Sequence, residues 1–300
     1  MAENRLTDPN VYGEGWMRQC ILIAAPRQAQ AWRGVLAEAG VRQGRDVVFL
    51  DEAPVAAEAG DQHRIFVASD HRFLRPSVDA DRVVLLHGLT HFAGLDAVSE
   101  EDARIHLIEI SRFGVEALEW SRGGRSFGTE QPDPLPLFDG LQVMSPELPP
   151  HGEGLRDRAA AEAMAYLSAA GRSRWDPSLF IADARPMVGT GVDWLDMTGR
   201  PRALIRGPYL WATPGRWTVK ARFMVDEDGA RQELQIGWGP PLTPVLLKAT
   251  PARPGVFEVE LENQWLVPDG MELTVALPHS TVSGRFALEA VELRGARPLR

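Results

Sequence analysis

Apolar and polar positions along the chain follow two rhythms, and the change falls in the stretch Gly207-Pro-Tyr-Leu-Trp-Ala-Thr-Pro-Gly-Arg-Trp217. Before it, short continuous apolar runs alternate with segments of helical spacing. Cys20-Ile-Leu-Ile-Ala-Ala25 is such a run, the pattern of a strand buried on both faces. Ala29, Trp32, Val35, Leu36 and Ala39 then recur at helical spacing, with Gly40 as the expected stop. Val47–Leu50, Ile65–Ala68 and Val83–Leu86 predict three more strands. A strand, a helix and a strand in succession predict a parallel pair joined by a right-handed crossover. Positions 51–62 could hold a short helix through Ala53–Ala59, and 71–81 reads as loop.

Ser99 followed by Glu100, Glu101 and Asp102 predicts a helix start, with a hydroxyl cap and acids in the first turn. That helix runs toward Gly123-Gly124, with Gly114 as a candidate interruption. Residues 124–154 are rich in proline and glycine and read as a connection, 155–170 as an alanine-rich helix, and 172–206 as irregular chain anchored by Trp175 and Trp194.

After Pro214-Gly215 the period becomes two. Trp217, Val219, Ala221, Phe223 and Val225 alternate with Thr218, Lys220, Arg222 and Met224, as in a half-buried strand. Further strands are expected at Glu233–Trp238, Val245–Ala249, Val256–Leu261, Met271–Leu277 and Arg285–Leu293, separated by Gly- and Pro-rich turns. The expected fold is a Rossmann-like open parallel sheet over 1–123, a connecting region over 124–206, and a jelly-roll-like β-sandwich over 207–300.

Composition narrows the classes. Of the 300 residues 44% are hydrophobic and 24% charged, an ordinary globular balance, and the net charge of -9 argues against a nucleic-acid partner. The single cysteine, Cys20, excludes an internal disulfide and reads as a buried, inert thiol. The chain opens on polar residues without a hydrophobic leader, and no apolar run has transmembrane length, so a cytoplasmic protein is expected.

Open parallel sheets bind ligands at the carboxyl ends of their strands. Here those ends bring Arg27 and Gln28 after the first strand, Ser69, Asp70 and His71 after the third, and His87, Thr90 and His91 after the fourth. Arg27 suits an anionic group, and His71 or His87 a general base oriented by Asp70. Ser69 is a candidate nucleophile, with Gln28 and His91 as ligand contacts. The plainer alternative makes Ser69 and Asp70 caps of the next segment. His87 and His91 have helical metal-ligand spacing, but Gly88 and the lack of further ligands disfavour zinc. The chain has no Gly-x-Gly-x-x-Gly after its first strand, no Walker loop and no Gly-x-Ser-x-Gly elbow. No cofactor is indicated. Among the aromatics, Trp217 and Trp238 sit at core-facing positions. Tyr209, Trp211 and Trp265 lie in or beside turns and are the candidates for a sugar-stacking platform.

Thr198-Gly-Arg-Pro-Arg-Ala-Leu-Ile-Arg-Gly-Pro-Tyr209 with Pro214-Gly-Arg-Trp217, and later Pro254–Leu261 and Gly284–Leu293, resembles a β-sandwich module of bacterial cell-surface polysaccharide biosynthesis proteins. The first third resembles a family of capsule-biosynthesis acetyltransferases, whose opening strand leads into Gly-Asn-Cys-Gln. In Ala24-Ala-Pro-Arg-Gln28 only the glutamine matches, so a cysteine nucleophile is excluded. The resemblances imply envelope polysaccharide biosynthesis, with acyl or glycosyl transfer to a sugar from an activated donor. The rival expectation is a non-catalytic glycan-binding or assembly adaptor with a degenerate α/β domain. A third, a sandwich used as a homo-oligomer interface, predicts Tyr209, Trp211 and Trp265 buried between subunits.

Overall fold

The computed structural model describes residues 19–25, 28–50, 64–74, 82–88, 92–121, 124–128, 132–147, 152–167, 171–183 and 193–295. The chain divides into two compact units, one of residues 1–88 with 117–149 and the other of residues 89–116 with 150–300.

The first unit opens with β1 (Cys20–Ala24), α1 (Ala29–Gln43), β2 (Asp46–Phe49), β3 (Arg64–Ala68) and β4 (Val83–His87). After α2 (Glu100–Ser121) come β5 (Arg125–Gly128), β6 (Leu135–Phe138) and β7 (Leu141–Val143). The five strands β2-β3-β1-β4-β5 form one sheet in that order, with every pairing parallel. β1 is buried along its whole length, as its unbroken apolar run requires. Ile21 and Ile23 of β1 pack with Trp32 and Leu36 of α1 and with Leu137 and Leu141 of the β6–β7 hairpin. The chain leaves β1 toward β2 on one side and leaves β4 toward β5 on the other. The crevice between the ends of β1 and β4 is therefore the sheet's topological switch point.

Three local expectations change between β1 and β5. Gly40 does not stop α1: the helix runs on to Gln43 and ends at Gly44, whose φ of 65° is the left-handed cap that glycine adopts freely. Gly40 instead allows a close approach, because a Cβ there would lie 2.6 Å from Val47 Cγ2. Gly114 does not interrupt α2, since one glycine costs about 1 kcal/mol against alanine and a long helix absorbs it. The cap at Ser99 is as expected: its Oγ accepts from the Asp102 amide at 3.1 Å and donates to the Asp102 carboxylate at 2.7 Å. The helix considered over 51–62 lies outside the described residues, and 71–73 form a short 3-10 turn rather than open loop.

The second unit contains α3 (Leu155–Met164), β8 (Arg172–Trp175), β9 (Ile181–Ala182), β10 (Leu195–Asp196), β11 (Arg202–Ala212) and β12 (Gly215–Val225). β13 (Leu234–Gly239), β14 (Val245–Ala249), β15 (Gly255–Trp265), β16 (Asp269–Leu277) and β17 (Arg285–Gly295) complete it. Two five-stranded antiparallel sheets face each other. In the first, β10-β17-β12-β15 run in that order and β8 also pairs with β17; the second has the order β14-β13-β16-β11-β9. From β11 to β17 the chain changes sheet at every step except the β13–β14 hairpin.

The expected β-sandwich is thus present, but its bounds differ. β8, β9 and β10 belong to its sheets although they precede residue 207, while β5 and the β6–β7 hairpin belong to the first unit. The supposed connection over 124–206 is shared between the two. These strands are too short, and at β5 and β8 too polar, to show a period-two pattern. Backbone pairing with a longer neighbour holds them.

The sandwich core is built on tryptophan. The Trp238 ring lies 5.3 Å from that of Trp265 and 6.0 Å from that of Trp175. Each buried indole N–H finds a carbonyl: Trp238 donates to Trp217 at 3.1 Å, Trp217 to Thr213 at 3.0 Å, Trp175 to Ala163 at 3.3 Å and Trp265 to Gly270 at 3.4 Å. The rings thus bury large apolar area without leaving a donor unpaired. Cys20 is fully buried in β1, and desolvation pushes its thiol pKa up to about 12, so the inert reading holds.

Candidate functional site

The strand ends of the parallel sheet and the aromatics in or beside the turns of the sandwich are the two places where the sequence placed chemistry. Arg27, Thr90 and His91 lie outside the described residues. Gln28, the residue before α1, is 4% exposed, and its Oε1 has no hydrogen-bond partner among the described residues. A Cβ on Gly88 would sit 2.1 Å from that oxygen, so the amide lies directly on the glycine that follows β4. Gln28 and Gly88 therefore meet at the switch point.

The Asp70–His71 pair expected at this edge does not form. Asp70 accepts from the Arg72 amide at 2.9 Å and from Arg72 Nε at 2.8 Å, capping the 71–73 turn. The Arg72 hydrogen bonds hold its carboxyl below the usual range despite partial burial. His71 Nδ1 is 3.8 Å from Asp70, beyond hydrogen-bond reach, so Asp70 orients no imidazole there. The reason is local: an aspartate two residues before an amide closes its own turn more readily than it reaches a ring. Ser69 Oγ accepts from Arg33 Nη2 at 3.1 Å, and the Arg33 guanidinium stands 5.5 Å over the Phe49 ring. His87 packs over β5, where a Cβ on Gly128 would lie 2.9 Å from its Cε1.

On the sandwich the three platform aromatics separate. Trp265 is 1% exposed and faces inward at the end of β15, so it cannot stack on a ligand. Its place beside a turn hid the fact that strand alternation carries it into the core. Trp211 is half-buried near the end of β11. Its backbone amide donates to Ser111 Oγ at 3.0 Å and its carbonyl accepts from the Tyr166 hydroxyl, which fixes the strand end.

Tyr209 is the distinctive residue. The β11–β16 register shifts between Pro208 and Leu210, and Tyr209 is the extra residue of this bulge, with φ at 64°. A bulky residue in the left-handed region costs of order 1–3 kcal/mol, and bulges of this kind re-aim a side chain. The result is a ring on the outer face of the second sheet, whose hydroxyl donates to Glu272 Oε1 at 3.0 Å. Thr274 donates to the same oxygen at 3.0 Å. Burial first, then the Glu272 hydrogen bond and charge, push the Tyr209 pKa up to about 12. Met271, Leu273 and Val275 point into the core, so Glu272 and Thr274 must point out.

Arg206 lies directly across from Thr274, and so does Gly237 on the other side; Ala276 continues the same outward row. The face thus offers a fixed aromatic ring, a carboxylate, a hydroxyl and a guanidinium, with Leu246 covering Gly237, where a Cβ would lie 3.2 Å from its Cδ2. Sequence reasoning named Tyr209 and Trp211 but not Glu272, Thr274 or Arg206. The available signal was the alternation of Met271–Leu277, which sends Glu272 and Thr274 outward.

No protein-family model and no curated protein matches the chain. Solved structures with local likeness include a family 16 carbohydrate-binding module, at 11% identity and a TM-score of 0.26, covering 37% of this chain and 82% of that one. Another is TmCBM61 in complex with beta-1,4-galactotriose, at 8% identity and a TM-score of 0.28, covering 42% and 82%. A third is the exo-beta-1,3-galactanase of Phanerochaete chrysosporium with galactose, at 12% identity and a TM-score of 0.27, covering 42% of this chain and 30% of that one. At this level the sandwich is read from its own sheets, and the likenesses decide nothing about what this chain binds.

Proposed function

We propose that the chain is a non-catalytic glycan-binding protein whose binding face is the outer surface of the sandwich sheet β14-β13-β16-β11-β9. The observation that carries this is the bulge at Tyr209, which holds an aromatic ring on an open sheet face with its hydroxyl tied to Glu272. An aromatic face stacks on the C–H face of a pyranose, while the Glu272 carboxylate and the lone pairs of the Tyr209 and Thr274 hydroxyls, whose protons go to Glu272, accept from sugar hydroxyls. Holding the ring in advance lowers the ordering cost of binding. The backbone strain at this position thus has a use.

Group transfer at the parallel sheet is the weaker reading, because Asp70 is committed to Arg72 rather than to a histidine. The resemblance to envelope polysaccharide proteins supplies the context in which such an adaptor would work. Calorimetric titration of the purified chain with a panel of neutral hexose and pentose oligosaccharides tests the proposal. At least one should bind, Tyr209→Ala should abolish that binding, and Lys220→Ala on the opposite sheet should leave it intact. Equal binding by the Tyr209→Ala protein would refute the assignment.

A further inference from the structure

Beside the Tyr209 cluster, along the β9–β11 pair, lies a pocket of about 240 Å³ lined by Ile181, Ala182, Asp183, Arg202, Ala203 and Arg206. Its two arginines are in different states. Arg202 is locked: Nε pairs with Asp183 at 3.1 Å, Nη1 donates to the Thr198 carbonyl at 3.1 Å and Nη2 to the Asp196 carbonyl at 2.6 Å. Arg206 is exposed and has neither an ion pair nor a side-chain hydrogen bond among the described residues. The Arg202–Asp183 pair cancels its own charge, so the pocket's charge is that of Arg206. Arg206 also stands opposite Thr274 in the β11–β16 ladder, on the same outer face as the Glu272–Tyr209 cluster.

From this arrangement we infer that the glycan bound on this face carries an acid group, a hexuronate carboxylate or a sulfate ester, which Arg206 holds in the pocket beside β9; the inference rests on the glycan-binding reading above. A guanidinium presents a planar fork of donors that meets such an oxyanion with two parallel hydrogen bonds. Glu272 lies two residues from Thr274 along β16; two hydroxyls hold its Oε1, which leaves Oε2 to accept from neutral sugar hydroxyls. The face then divides the ligand: the ring and Glu272 take the pyranose body, and Arg206 takes the acid. A chain of net charge -9 has no general attraction for anions, so any preference for an acidic sugar has to come from such a local contact.

The test pairs each acidic ligand with its neutral form, in calorimetric titrations at neutral pH and low salt. Trisaccharides of galacturonate, glucuronate and mannuronate are measured against their methyl esters, and a sulfated galactose trisaccharide against the unsulfated one. The acidic member of at least one pair should bind about tenfold or more tightly than its neutral form, the size of one hydrogen bond to a charged group. In Arg206→Gln that ratio should fall to about one, and Arg206→Lys, which keeps the charge without the fork, should recover only part of it. Circular dichroism melts of each variant show that the fold is retained. Whether the uronates or the sulfated sugar show the preference identifies the acid. Equal binding of acidic and neutral members, or a preference that survives Arg206→Gln, overturns the inference while leaving glycan binding standing. Binding of no saccharide, neutral or acidic, would overturn both.

Discussion

The two outer faces of the sandwich share one core and one alternating rhythm, yet their chemistry is opposite. On the first sheet, charges on adjacent strands meet in pairs: Lys220 with Glu258 at 2.8 Å, Arg222 with Glu289 at 2.7 Å and Arg216 with Glu262 at 3.4 Å. Exposed pairs of this kind add little to stability because water screens them, but they occupy charges that a ligand would otherwise meet. On the second sheet the outward row carries Gly237, Thr274 and Arg206, next to a tyrosine aimed outward by a bulge. Alternation tells which residues point out; the partners across the ladder tell what those residues are free to do.

The largest effect that sharpens this comparison comes from the layer the two faces share. Trp265→Ala should cost about 3–5 kcal/mol in denaturant unfolding, since it removes a buried ring against Trp238. A cost below about 1 kcal/mol would mean that Trp265 is not core. Next in size is the separation of binding from stability at the bulge. Tyr209→Gly should lose glycan binding by more than about tenfold yet stay within about 1 kcal/mol of the parent stability, because glycine adopts the left-handed conformation without penalty. A matched loss of stability would show that the ring is there for packing.

A smaller effect concerns pH. The phenol of Tyr209 titrates late, at about 12, against an ordinary value near ~10. A raised folded-state pKa means that its contribution to stability is complete below about pH 10 and is lost as the pH rises toward 12. Phenolate absorbance should show this late component, absent in Tyr209→Phe. Glu272→Gln should lower it, by removing a negative neighbour, but not to the ordinary value, because burial is the larger cause. The smallest effect belongs to the paired face: a Lys220–Glu258 double-mutant cycle should yield a coupling within the error of the unfolding measurement and no change in glycan affinity.

Much of the sandwich was legible because β12, β15 and β16 alternate and turns punctuate the whole stretch from β12 to β17, and Trp217 and Trp238 fell on the correct, inward face. β8, β9 and β10 were not, because strands of two to four residues carry no period of their own. Trp265 was misplaced by its nearness to a turn, and Asp70 by the assumption that a strand-end carboxylate serves a histidine. Tyr209 was legible as an aromatic beside a turn. Its partner Glu272 stands 63 residues away, and their meeting depends on a register that only the folded sheet defines. Arg206 was hidden for the same reason: its importance lies in having no partner among the described residues when Arg202, on the same strand, has several.

The most direct test of the account is amide chemical-shift mapping of the isotope-labelled chain, titrated with the tightest-binding saccharide of the two panels. The account predicts that the perturbed amides cluster on β11, β13 and β16, around Arg206, Tyr209 and Glu272, while the paired face of β12 and β15 stays silent. Perturbations gathered instead at the strand ends around Gln28, Ser69 and His87, or on the paired face, would contradict it.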